Sequence, residues 1–143
     1  MRSQRKDPAS GVIATFLERA KRSVASQFAA RSEFARPSAA PVAGLGGRLT
    51  HLLDELTTSL RRGTVVHERI AWSQDWQALH GARHEPPGFD LEASMRELAV
   101  LRECILDLIH IHEVDAPARE LDVMAKWFEA VSADACEAYT AAG

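Results

Sequence analysis

Long apolar runs are absent from this chain of 143 residues. No stretch approaches the roughly 20 residues that a bilayer-spanning helix needs, so no membrane span is expected. Behind the start MRSQRKDPAS there is no apolar core of a secretory leader, and the expected location is cytoplasmic. Cysteine is scarce: Cys104 and Cys136 stand far apart and form no CxxC pair. That spacing reads as two thiols rather than a disulfide framework or a zinc knuckle. The alternation of apolar and polar residues that marks a half-buried strand is missing throughout. So are the P-loop, GxGxxG, GxSxG and HExxH signatures, a phosphoacceptor-histidine box and an ATP-binding motif. The chain therefore reads as no enzyme: no catalytic residue and no metal set is expected, and any catalytic part would lie outside it.

Charge of one sign is lacking overall, with a formal net of −3, which gives no reason to expect a nucleic-acid partner. Its distribution is uneven. Residues 1–36 hold eight Lys and Arg against three Asp and Glu, whereas the rest hold nine against seventeen. A basic leading segment can meet an acidic partner or simply be solvated.

What is present is apolar residues recurring at intervals of three and four, the signature of amphipathic helices. A first helix is expected over about Ser10 to Phe34, with Ile13, Phe16, Leu17, Ala20, Val24 and Phe28 on one face. RPSAAPVAGLGG then breaks it. A second helix, about Gly47 to Arg61, aligns Leu49, Leu52, Leu53, Leu56 and Leu60, and Gly63 stops it. A third is expected from Thr64, as N-cap, to about His80, with Val65, Trp72, Trp76 and Leu79 inward. EPPG forces a turn. A fourth helix, capped by Asp90, runs to about Ile111, and a fifth starts around Asp115 and Pro117. The expectation is an all-α fold of about five amphipathic helices in a bundle or globin-like packing. Residues 1–46 form a basic helix with a Pro/Ala/Gly linker, and 47–143 form a helical core on which the first helix packs. If that first helix is instead a separable dimer element, the chain without residues 1–36 folds as a monomer.

On a wheel of 100° per residue, two charges of the fourth helix miss its polar stripe. Glu97 and Arg102 fall at the two borders of the apolar face. A charge at such a border needs a partner, because desolvating it alone costs several kcal/mol. Both read as staples at the buried edge, with His80 and Arg83 of the preceding turn as candidate partners.

The ordered series His80-Gly81, Arg83, Gly88-Phe89-Asp90-Leu91, Arg96-Glu97, Leu101-Arg102 and Ile105 resembles the N-terminal domain of RsbRD-type co-antagonists, over about Leu49 to Ala130. It departs from that pattern at HEPPGF, where the family has a more polar run. The resemblance implies a dimeric, all-helical sensory input domain without catalysis of its own. Such domains stand ahead of histidine kinase cores, stressosome modules and transcriptional regulators. Its expected partners are a second copy and a signalling effector or linked output domain. His80, Gly81, Arg83, Gly88, Glu97 and Arg102 would be the signature, clamping the third helix against the fourth.

Sharper chemistry finds less in the residues. His80 and His84 are four apart, but Gly81 and Pro86 interrupt the helix that would align them, and no third ligand is near. His112 falls near the centre of the fourth helix's apolar face and reads as a core histidine. The alternative function is a ligand sensor holding haem or another apolar molecule, with Trp72, Trp76 and His112 as pocket residues and His80 or His112 as an iron ligand.

Overall fold

The computed structural model describes residues 11–35, 48–68 and 87–142. Its elements are α1 (Val12–Ala35), α2 (Leu49–Arg62), α3 (Pro87–Ile111) and α4 (Ala118–Ala142), with no strand among the described residues. The all-α class agrees with the sequence. The described residues hold four helices; the expected third, after Gly63, falls largely outside them. Residues 64–68 are not helical, so Thr64 does not cap a helix there. The rest of that expected helix, including Trp72, Trp76 and His80, lies outside the described residues.

The four helices close a ring. α1 packs on α2 and α3, and α4 packs on α3 and α2. The periodicity explains which faces meet. Leu49, Leu52, Leu53, Leu56 and Leu60 of α2 all point inward. They join Ile13, Leu17, Val24 and Phe28 of α1, Leu98, Leu101, Ile105 and Leu108 of α3, and Met124, Trp127, Phe128 and Val131 of α4 in one core. Burying each large side chain contributes about 1.5–3 kcal/mol. α1 thus forms one wall of the core. A chain without residues 1–36 would lose that wall.

Exposed ion pairs set the relative direction of α1 and α2. Arg61 meets Glu18 at 2.8 Å and Lys21 meets Asp54 at 2.6 Å, so numbers rise along α1 as they fall along α2. Arg31 pairs with Asp107 across to α3 at 2.7 Å. Solvated pairs of this kind are worth about 0–1 kcal/mol each, so the apolar stripes carry the packing.

Helix ends are set locally. Gly63 takes the left-handed conformation, φ 74°, and its N–H bonds the Ser59 carbonyl. α3 ends differently: Glu113 N–H bonds the His110 carbonyl and Val114 N–H bonds the Ile109 carbonyl, which is a Schellman motif. The left-handed residue in that motif is Glu113, φ 53°, not a glycine. At its other end α3 opens at Pro87 rather than after Asp90. Proline suits a first helical position, where its fixed φ fits and no N–H is needed. Gly88, expected as a turn residue ahead of the helix, is inside the first turn. α4 begins on the Pro117 carbonyl, which accepts from Glu120 and Leu121. No helix among the described residues is long and apolar enough to cross a membrane.

Candidate functional site

α2 carries three buried polar residues on or beside its leucine stripe, Glu55, Thr57 and Ser59, none more than 9% exposed. Thr57 satisfies itself by donating to the Leu53 carbonyl at 2.7 Å. Ser59 and Glu55 reach outward to the segment that follows the helix. Ser59 Oγ accepts from Val66 N–H at 2.8 Å and donates to the Val66 carbonyl at 3.0 Å. One helical turn earlier, Glu55 Oε2 accepts from Glu68 N–H at 2.8 Å. Residue 66 meets residue 59 and residue 68 meets residue 55, so the strap 64–68 turns back along α2.

The centre of the strap is His67. Its Nδ1 lies 2.6 Å from Glu55 Oε1, and its Nε2 lies 3.0 Å from Asp134 Oδ2 on α4. The side chains of Glu55, His67 and Asp134 expose only 7%, 10% and 6% of their surface. Trp127, fully buried on α4, donates its indole N–H to the same Glu55 Oε1 at 3.0 Å. Trp127 is held in turn by an edge-on contact with Phe128, ring centroids 4.9 Å apart. Glu55 therefore has two donors, an indole and a backbone amide, and the His67 ring around one carboxylate. Asp134 also has a contact besides His67. His51, an exposed side chain one turn before Glu55, stands 4.0 Å from Glu55 Oε2, beyond hydrogen-bond distance.

This clamp joins α2, the strap and α4 through polar contacts in a part of the bundle that water scarcely reaches. Hydrogen bonds to charged groups contribute about 1.5–3 kcal/mol each, and stranding one partner costs more. The arrangement is poorly shaped for a metal. The two carboxylates address opposite edges of one ring, so no single point lies within coordination range of all three groups. Among the described residues no group of three or more His, Cys, Asp and Glu is set to hold a metal ion.

The residues singled out in the sequence are placed elsewhere. Glu97 is buried, 4% exposed, and is not without a partner. Arg102 is exposed, which corrects its reading as a buried staple: α3 turns that border of its apolar face to solvent. His112 is exposed as well, contrary to a core or pocket position. α3 has ended at Ile111, so the helical wheel no longer governs residue 112, and the ring rests against Phe16 with centroids 5.5 Å apart. His80, Gly81, Arg83, Trp72 and Trp76 lie outside the described residues, so the expected clamp and pocket are not brought together here.

Glu55, His67 and Asp134 were not anticipated. A signal existed: the wheel that exposed Glu97 also puts Glu55 at the border of the leucine stripe. Its partners could not be found that way, since Trp127 is 72 positions away and Asp134 is 67 positions from His67. No family model, no curated protein and no solved structure matches the chain.

Proposed function

We propose that this chain is a non-catalytic sensory or regulatory domain of a bacterial signalling protein, cytoplasmic, working through dimerisation and helix rearrangement. The observation that supports it is the clamp. Apolar packing is non-directional, whereas a buried polar contact needs its partner in one geometry and is either made or broken. The strap is tied to α2 and α4 by such contacts, so its attachment has two discrete states. An input that changes the strap changes how α2 and α4 are joined, which is what a regulatory domain needs. The series from His80 to Ile105, with its resemblance to RsbRD-type input domains, points to the same class of function.

Native mass spectrometry on the full chain tests the reading. The expected result is a dimer without a bound small molecule, whose dimer fraction changes in His67→Gln. A monomer at micromolar concentration in both proteins overturns the dimer mechanism. A retained haem or other ligand replaces it with a ligand sensor.

A further inference from the structure

We infer that His67 is a proton-operated latch: its doubly protonated ring closes the strap onto Asp134, and loss of one ring proton releases the α4 side while the α2 side stays attached. The inference rests on the regulatory reading and names what drives it. It stands on the geometry of one ring between two carboxylates.

A neutral imidazole has one N–H and one lone pair, and only the imidazolium donates from both nitrogens. Both nitrogens of His67 lie at hydrogen-bond distance from carboxylate oxygens. Both contacts are hydrogen bonds to ionised carboxylates only when the ring carries both protons. Once one proton leaves, a lone pair must face a carboxylate. The shorter contact, 2.6 Å to Glu55, is the worse place for that, and Glu55 is also fixed by Trp127 and by Glu68 N–H. The remaining proton therefore stays on Nδ1. Nε2 then turns a lone pair toward Asp134 Oδ2, acceptor against acceptor at 3.0 Å in a poorly solvated position.

The groups around the ring are consistent with that direction. α2 presents Glu55, with exposed His51 beyond it at 4.0 Å. α4 presents Asp134, which has a further contact of its own. The strap contributes the Glu68 amide, while the Glu68 side chain is exposed. The direction follows from that geometry: the closed strap is favoured while both ring nitrogens carry protons, and loss of one opens the α4 side.

The test is a proton–nitrogen NMR titration of the full chain over about pH 5 to 8, the range in which histidine side chains change charge. The His67 ring and the Val66, Glu68 and Asp134 amides should move together with one apparent midpoint. The Trp127 indole N–H, assigned with Trp127→Phe, should stay fixed, because the Glu55 side is retained. In Asp134→Asn the carboxamide can accept from Nε2–H or donate to its lone pair, so the strap amides should no longer follow the ring. In His67→Gln they should hold their high-pH positions throughout. Strap amides that ignore the ring's titration, a ring that keeps one protonation state across the range, or a response that persists in Asp134→Asn each overturns the latch. If the variants fail to fold, the parent titration alone still decides. A latch that fails leaves the dimer reading standing, and a monomeric chain can still titrate as described, so the two failures are distinct.

Discussion

Glu97 and Arg102 have mirror-image positions on α3, one at each border of its apolar face, yet only Glu97 is buried. The difference decides what each is worth. Removing a buried, partnered carboxylate strands the group it served, so Glu97→Ala should lose about 3–5 kcal/mol of unfolding free energy. Arg102→Ala, at an exposed position, should stay within about 0.5 kcal/mol of the parent. Urea unfolding of the two variants under one buffer checks both, and equal losses would contradict the contrast. Glu113 offers a test of opposite sign. It occupies the left-handed position of the Schellman motif, φ 53°, where a side chain costs roughly 1–2 kcal/mol. Glycine removes that strain but loosens the unfolded chain, so Glu113→Gly should stabilise by about 0.5–1 kcal/mol net, read as a higher urea midpoint at unchanged slope.

Elements begin and end where backbone groups find partners, and α1 finds its partner far away in sequence. The amides of Ile13 and Val12 point at the Glu120 carboxylate, at 2.8 and 3.4 Å, across 107 and 108 positions. Glu120 belongs to the first turn of α4 and is 2% exposed. It therefore acts on two helix N-termini at once. Its carboxylate favours its own helix dipole and caps α1 from outside. Glu120→Ala should cost about 1–3 kcal/mol by leaving buried amides unpaired, and Glu120→Gln should cost less because its carbonyl still accepts. Equal losses for Ala and Gln in thermal melts would show that packing, not capping, is what matters. The first-turn role was legible from the residues after Pro117; the cap on α1 was not, because nothing local links positions 13 and 120. The same limit explains the clamp. Periodicity finds the stripes of α1, α2, α3 and α4, since each stripe is a local pattern. It also reads Thr64 as a helix start, where the wheel sees an N-cap but cannot see that Val66 and His67 bond Ser59 and Glu55 instead.

At the scale of the whole molecule, the ring of four helices has one core, and each helix supplies part of it. Each helix is therefore a wall of that core. Cys104 reports on this. It is fully buried on α3, and burial pushes its thiol above the usual range, so the reactive thiolate is suppressed. Neighbouring Arg31 of α1 pulls the other way but does not prevail. Cys136 is exposed on α4. A maleimide should label Cys136 readily in the native chain, while Cys104 waits for the bundle to open. An opening free energy of about 3 kcal/mol corresponds to roughly hundredfold slower labelling. Removing residues 1–36 takes Ile13, Leu17, Val24 and Phe28 out of that core. Cys104 should then label nearly as fast as Cys136, and the truncated chain should lose its cooperative unfolding transition. If Cys104 stays protected and the transition stays sharp after the deletion, α2, α3 and α4 hold a core without the first helix, and α1 is an accessory layer rather than a wall.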